Sequence, residues 1–580
     1  MAALRKACAT FAVEAETLQQ RLVDRSEKEM KDSSWLQLYW NQLGYLQVRD
    51  SVVVNVSYFF QFQNDPTVAA EGSRANIKRA ATLLYSTAEF RKLVCAGMLE
   101  PEVLGKARIP LDATAFKYMF HACRIPRKVQ DSYRIYDPSL YSHAIVARKG
   151  HFFAIDISDK ETGDPLPLSD IEQQLKDCID MADQIPLSRP KLGMLTSTNR
   201  DSWAEKRETI GELGGASMER ALETLESGAL VVNLDTTSYT DNVECSEMLL
   251  TGRKESGDNR WFDKSIQIIV DENGTAGTLS EHSMMDGMPV TKFADYITSK
   301  TYEKVKADSP PVLGKHTHMP VDIFGNALSQ IDKSALAEME TEAREEFHEN
   351  IGKQSTSVVS FEGYGSRFIK SSGNAPDAFV QVAMQLAITR LFGEQAATYE
   401  ASQVRRFLHG RTEVTRAVSL ESAAFVESMV GSIHTNDEIE STKEKSELLK
   451  TATAAHSSYS QLAAQAMGVD RHFFGLSMLV DPEEGAPTLY SDPVFNRSKY
   501  WRLSTSNLSH PRIANWGFGQ VVPDGVGIAY SIHPNSLKFN ISALDATGWT
   551  PQLEQLLQES LEEMYLIASV GSNEEPVSKL

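Results

Sequence analysis

Three apolar runs that turn back on themselves constrain this chain more than any other feature. Gln267-Ile-Ile-Val270 returns to Ala276 through Asn273-Gly274, Val146 to Asp156 turns at Lys149-Gly150, and Ile528 to Ile541 turns around Pro534-Asn535. Asn-Gly accepts the left-handed backbone that a tight hairpin demands, so each run reads as two paired strands. Ser51 to Phe62, β-branched and aromatic, reads as a further strand. Between these lie stretches with apolar residues at helical spacing: residues 11–50, with Trp35, Leu38, Tyr39 and Leu43 on one face, then Leu168 to Gln184, Ser334 to Asn350, Pro376 to Gly393 and Pro551 to Ile567. The alternation has no regular βαβ period and no internal repeat, which predicts a mixed α/β fold rather than a barrel. The chain has 580 residues, too many for one ordinary core, so two large domains or one elaborate α/β body are expected.

The net charge of −20 disfavours a nucleic-acid partner, because binding phosphates along a duplex calls for concentrated positive charge. Cys8, Cys95, Cys123, Cys178 and Cys245 are scattered, with neither a CxxC pair nor metal-ligand spacing. That suits a reducing compartment and predicts no metal site. No apolar run approaches the roughly 18 residues needed to span a bilayer, and the start of the chain lacks the apolar core of a secretory signal. The final Ser578-Lys579-Leu580, after the polar stretch Gly571 to Val577, matches a peroxisomal address read by an import receptor.

His282 is the leading chemical candidate. It follows the hairpin ending near Glu281, with one carboxylate immediately before it and another, Asp286, four residues later. An imidazole titrates near neutrality and can take a proton and return it. Four further segments gather polar residues that a core does not need. They are Asn259-Arg-Trp-Phe-Asp263-Lys264; Ala397-Thr-Tyr399-Glu400 with His409-Gly410-Arg411-Thr412-Glu413 and Arg416; Val469-Asp470-Arg471-His472; and Leu503-Ser504-Thr505-Ser506-Asn507 with Gly517-Phe518-Gly519 and Val521 to Gly525. Any one of them is equally well a solvated face or a capped turn.

In this order and at these distances the segments resemble the choline/carnitine acyltransferase family, most closely its carnitine-dependent acetyl-transferring members. The resemblance runs from Trp35 to about Leu566 and includes Leu195 to Ala204 and Pro376-Asp-Ala-Phe379. It implies a two-domain mixed-sheet fold with an active-site tunnel between the domains. The histidine domain is expected at 63–324, and the second at 1–62 with 325–580, residues 571–580 forming a tail. The stretch Lys306 to Gly325, with Pro310, Pro311 and Pro320, is expected to connect them.

The resemblance further implies reversible transfer of a short acyl group, acetyl extending to propionyl, between coenzyme A and carnitine without a covalent acyl-enzyme. His282 matches the general base, Asp286 the carboxylate that holds or polarises it, and Ser506 the hydroxyl that meets the developing oxyanion. Arg471 matches the position that is arginine in carnitine enzymes and not in choline acetyltransferase, with Tyr399 and Thr412 as hydroxyl partners for the carnitine carboxylate. Lys370 and Asp377 match coenzyme A-binding positions, although Ser366 replaces the first lysine of the family's Gly-Lys-x-Phe-x-Lys, with Arg367 beside it. Trp516, two residues before Phe518-Gly519, stands at the acyl-pocket position, where small residues admit long chains. Gln520 replaces a usual proline, and the family's Leu-Pro and Pro-Pro opening is missing before the first helix. Coenzyme A is expected as co-substrate with no tightly bound cofactor, and the protein as a monomer. A medium-chain carnitine enzyme, a transferase acting on another alcohol, and an inactive binding protein are the alternatives the residues leave open.

Overall fold

The computed structural model describes residues 2–68, 74–311, 318–331, 333–430 and 442–570. The tail 571–580 with its tripeptide, and part of the expected connector, lie outside the described residues. Two mixed sheets organise the fold. The strands of the first half are β1 (Ser57–Phe62), β2 (His143–Arg148), β3 (His151–Asp156), β4 (Val231–Leu234), β5 (Ile266–Val270), β6 (Ala276–Glu281) and β7 (Val321–Asp322). Those of the second half are β8 (Gln354–Phe361), β9 (Thr398–Gln403), β10 (Thr412–Arg416), β11 (Leu503–Asn507), β12 (Ile513–Phe518), β13 (Val526–Ile532) and β14 (Leu537–Leu544). The first sheet runs β7-β3-β2-β4-β5-β6-β1-β12 and the second β8-β14-β13-β11-β9-β10.

All three expected hairpins form. At the β2–β3 turn both Lys149 (φ 54°) and Gly150 (φ 78°) take the left-handed conformation that matches the twist of the flanking strands. At β5–β6, Gly274 has φ 84° and the Asp271 carboxylate accepts the N–H groups of Asn273 and Thr275, fixing the register Ala276↔Val270. Gly277 on β6 has to be glycine, since a Cβ there would lie 2.2 Å from the Phe60 carbonyl oxygen of β1.

Two expectations change. The run Ser51 to Phe62 is a strand only from Ser57. Before it, Val52, Val53, Val54 and Val56 are buried in a wound turn in which Val54 has φ 68°. Ser51 Oγ holds the Val53 N–H, Asn55 Nδ2 donates to the Ser51 carbonyl, and the Val56 carbonyl accepts from the backbone of His282. Local side-chain bonds and a tertiary contact thus outweigh β-propensity. The second change concerns residues 57–62, expected with the second domain. They pair with β6 on one side and β12 on the other, so β1 lies inside the histidine sheet, and β12 crosses over from the second half to join it. The segment expected as a connector contributes β7, paired with β3.

The helices that position the site are α1 (Trp35–Asn41), α2 (Gly287–Ile297), α3 (Ser366–Ser371), α4 (Pro376–Phe392), α5 (Thr442–Ala463), α6 (Asp470–Ser477) and α7 (Trp549–Ser569). Leu168–Gln184 is helical as expected, and the stretch expected at Ser334 to Asn350 extends over Lys333–Gly352. The face expected on α1 is only partly inward, because Leu38 is exposed. Two large apolar clusters fill the two sides of the first sheet, and a third packs α4 and α7 on the second.

Beneath His282 the interior is ionic. Asp131 accepts from Arg124 at 2.7 Å and Arg200 at 2.6 Å, all three buried, and Asp263 pairs with Arg200 at 2.8 Å. Arg124 also donates to Glu281, to Ser283 Oγ and to the Tyr45 carbonyl, so one guanidinium holds the chain on both sides of His282. Removing one partner of such a network leaves charge stranded in the interior. Asp131→Ala is expected to cost about 3–5 kcal/mol of stability, read as a lower denaturation midpoint in guanidinium chloride than that of the parent protein.

Candidate active site

His282 follows the end of β6, where its backbone N–H is anchored 3.0 Å from the Val56 carbonyl. The ring lies between Tyr45 (5.1 Å between centroids) and Tyr58 (4.9 Å, edge-on). It is half-buried, with 31% of its side-chain surface open. Nδ1 is buried, so the open part of the ring lies elsewhere, with Nε2 as its other polar atom. Of the two flanking carboxylates only one addresses the ring. Glu281 points to the opposite face of the strand and is taken by Arg124, as strand alternation requires.

Asp286 stands at the N-terminus of α2 without a capping hydrogen bond from its side chain, and its Oδ1 lies 3.7 Å from His282 Nδ1. That distance is too long for a hydrogen bond, so Asp286 acts on the ring through charge. Its oxygens are instead held by Arg411, Nε to Oδ2 at 2.9 Å and Nη2 to Oδ1 at 3.1 Å. The same guanidinium donates to the carbonyls of His282 and Ser283 and to Asn41 Oδ1. Burial pulls the His282 pKa below the ordinary imidazole value, against the upward influence of Asp286, and Arg411 adds to the fall. Burial raises the Asp286 pKa, but Arg411 and His282 outweigh it and hold the carboxyl below its ordinary value.

Tyr399, Thr412 and Arg471 come together. Arg471 Nη2 lies 3.2 Å from both the Tyr399 hydroxyl and Thr412 Oγ1, Nε donates to the Thr412 carbonyl at 2.8 Å, and the two hydroxyls are 3.5 Å apart. The guanidinium lies 3.8 Å from the Trp40 ring centroid. The cluster connects to the histidine through Trp40, whose ring meets Tyr45 at 6.0 Å, and Tyr45 in turn packs against His282.

Ser506 lies on β11. Its neighbours Thr505 and Asn507 bond Gln381 and Asp377 of α4, so Ser506 and Ser504 face the other way, on the side of the sheet that carries Tyr399. Ala529, paired with Ser506, packs in the cluster that contains Tyr58, Phe60, Met285 and Trp516. Trp516 on β12 is buried, its indole N–H bonded to the Tyr530 carbonyl at 3.1 Å. Its ring meets Phe60, and Phe60 meets Tyr58, which touches His282, so Trp516 is three ring contacts from the imidazole. Asp377, at the start of α4, accepts from Asn507 and Tyr530. Lys370 stands apart at the end of the short α3, exposed and with no charged partner among the described residues. Arg367 reaches Asn535 at 3.4 Å, and Gln520 keeps a buried side-chain oxygen without a partner.

A family model described as Choline/Carnitine o-acyltransferase matches residues 1–559. The chain belongs to this family. It is an acyltransferase, and it is 32% identical over 571 residues to the mitochondrial carnitine O-palmitoyltransferase 2 of Mus musculus, covering 93% of this chain and 83% of the relative. It is also 32% identical over 541 residues to the mitochondrial carnitine O-acetyltransferase of Saccharomyces cerevisiae, covering 90% and 76%. Among solved structures, the trichothecene 15-O-acetyltransferase of Fusarium sporotrichioides matches with a TM-score of 0.38 at 12% identity, covering 90% of this chain and 94% of that one.

Sequence reasoning gave no role to Arg411, although it quoted the Gly410-Arg411-Thr412 motif. An arginine two residues past a histidine whose neighbour is a strand start was the available signal. It passed over Trp40 and Tyr45 altogether, because aromatic residues in an N-terminal helical stretch look like any packing face.

For His282 as the expected general base, which must be neutral to accept a proton, a depressed pKa places the acid limb of the pH profile below the ordinary value of about 6.5. Asp286→Asn removes the charge that raises this pKa. The limb of kcat/KM against pH is therefore expected to move further toward acid in the variant. A limb that stays or moves upward contradicts the electrostatic role.

Proposed function

We propose that the protein is a short-chain carnitine acyltransferase, moving acetyl and propionyl groups reversibly between coenzyme A and carnitine. The observation that carries this reading is the meeting of Arg471, Tyr399 and Thr412 beside Trp40, two ring contacts from His282. Carnitine differs from choline by a carboxylate, and a fixed guanidinium with two hydroxyls suits a carboxylate. His282 takes the proton from the carnitine hydroxyl, and the oxygen attacks the thioester carbonyl. Ser506 donates to the oxyanion of the tetrahedral intermediate. The carbon–sulfur bond then breaks and the thiolate takes the proton from the imidazolium. Asp286, already paired with Arg411, favours the imidazolium by its charge.

Lys370 is proposed for the phosphates of coenzyme A, and Asp377 for one of its neutral donor groups. The short acyl range rests on Trp516, whose buried indole occupies the space beyond Phe60. The mouse relative is named for palmitoyl transfer and the yeast one for acetyl transfer, so a longer-chain reading is the competitor, and it requires that space to open. The closing Ser578-Lys579-Leu580 supports a peroxisomal location through an import receptor, whereas these two relatives are named as mitochondrial.

Two variants test acceptor and chain length in one assay, release of free thiol from acyl-CoA. Arg471→Gln is expected to lose about 2–5 kcal/mol of carnitine recognition, raising KM for carnitine at least about thirtyfold. Trp516→Gly is expected to raise kcat/KM for octanoyl-CoA at least about tenfold, each buried CH₂ contributing about 0.8 kcal/mol. Choline turnover equal to carnitine turnover in the parent protein, or efficient octanoyl transfer with Trp516 in place, overturns the reading.

A further inference from the structure

On the helix-covered face of the second sheet lies a group of ionisable side chains for which the transfer reaction has no use. His456 of α5 places Nε2 3.1 Å from Glu400 Oε2 of β9 and 3.7 Å from Asp377 Oδ2 of α4. His456 and Glu400 are buried, while Asp377 keeps 36% of its side-chain surface open. Both carboxylates face Nε2, and Nδ1 is buried with no hydrogen-bond partner among the described residues. Asp377 Oδ1 accepts from Asn507 Nδ2 at 2.7 Å and from the Tyr530 hydroxyl at 2.8 Å. Gln381 links Tyr530 to Thr505 Oγ1, and Thr505 donates to the Tyr399 carbonyl. Every residue here lies on the helix-covered face of the second sheet, opposite Ser506 and Tyr399.

We propose that His456 is a positioning residue for coenzyme A, an imidazolium clamped between Glu400 and Asp377 that fixes the open Asp377 carboxylate as a hydrogen-bond acceptor. The proposal rests on the reading of Asp377 as a coenzyme A contact. A carboxylate repels phosphate, so its counterpart is a neutral donor of coenzyme A, an amide N–H, a hydroxyl or the adenine amine. Without a cation between them, two carboxylates this close cannot both ionise in a buried site. One takes the proton, and an Asp377 carboxyl that does so donates where it should accept.

The electrostatics agree. Burial opposes a charge on His456, but Asp377 and Glu400 outweigh it and raise the pKa to about 9. Burial pushes Glu400 up to about 7, with His456 opposing. Asp377 is drawn down to about 2 against burial by the nearby His456 and by the hydrogen bonds of Asn507 and Tyr530. Tyr530, raised well above its ordinary value by burial and by the Asp377 charge, stays neutral. His456 is thus the group that changes charge on the alkaline side. The three side chains could also ligate a metal ion, the ion replacing the proton between the carboxylates.

The test is steady-state kinetics with acetyl-CoA, which has no thiol to titrate, for the parent enzyme and His456→Gln, Glu400→Gln, Asp377→Asn and Lys370→Ala. Melting temperature and bound metal are measured on the same preparations. His456→Gln is expected to raise KM for acetyl-CoA about tenfold, with KM for carnitine unchanged within about twofold. In the parent enzyme KM for acetyl-CoA is expected to rise above about pH 9, where His456 loses its proton. Glu400→Gln removes a charge that favours the imidazolium, so this rise moves to lower pH. If Lys370→Ala and Asp377→Asn raise KM for acetyl-CoA but His456→Gln leaves it and the alkaline rise unchanged, the positioning role is wrong. If neither Lys370→Ala nor Asp377→Asn moves KM for acetyl-CoA, the coenzyme A site itself is misplaced. Stoichiometric metal in the purified enzyme overturns the imidazolium clamp.

Discussion

The clasp of Arg411 on Asp286 is the interaction on which the site depends. Arg411 directly precedes β10 of the second sheet, Asp286 directly precedes the helix that follows the histidine strand, and the same guanidinium reaches Asn41 and the carbonyls of His282 and Ser283. One side chain therefore fastens three distant parts of the chain around His282. Only arginine has enough donors in a fixed plane to do this, and a lysine could not serve as a bidentate partner. The clasp sets electrostatics as well as geometry. It keeps Asp286 ionised beside the ring, and it denies that carboxylate a short bond to Nδ1 that would lock up the base.

A second guanidinium works from the opposite side. Arg124 holds Glu281 and Ser283, which bracket His282, together with the carbonyl of Tyr45, whose ring packs on the imidazole. Buried ionic networks of this kind contribute little net stability compared with apolar packing of the same volume. Their consequence here is positional. His282 stands between two arginine-centred networks while its neighbours Tyr45 and Tyr58 supply the apolar walls that depress its pKa. Arg471 repeats the pattern, a buried cation aligned by two hydroxyls and the face of Trp40.

Much of the local structure was legible in the sequence, and little of the long-range pairing. The hairpins at Lys149-Gly150 and Asn273-Gly274 were readable because turn chemistry is local, and the helix at Pro376 because proline starts it and Gly393, with φ 72°, ends it. The valines at 52–56 misled, since their winding is imposed by Ser51 and by the His282 strand. That β1 pairs with residues 513–518 has no local signal, because the partners are more than four hundred residues apart. Among the site residues, those within quoted motifs converge in space. Arg411 escaped assignment because its importance lies in a partner 125 positions away, and Trp40 because only the fold brings it under Arg471.

The central claim is direct transfer governed by a single histidine, and the release of thiol from acetyl-CoA by a stoichiometric amount of enzyme tests it most directly. Mixed with acetyl-CoA alone, the enzyme should release no thiol and gain no acetyl mass. Added carnitine should then start turnover, and His282→Ala should slow it by about 10²–10⁴. A burst of thiol equal to the enzyme concentration before carnitine is added, with an acetylated protein in the mass spectrum, would contradict direct transfer. Undiminished turnover in His282→Ala would contradict the base.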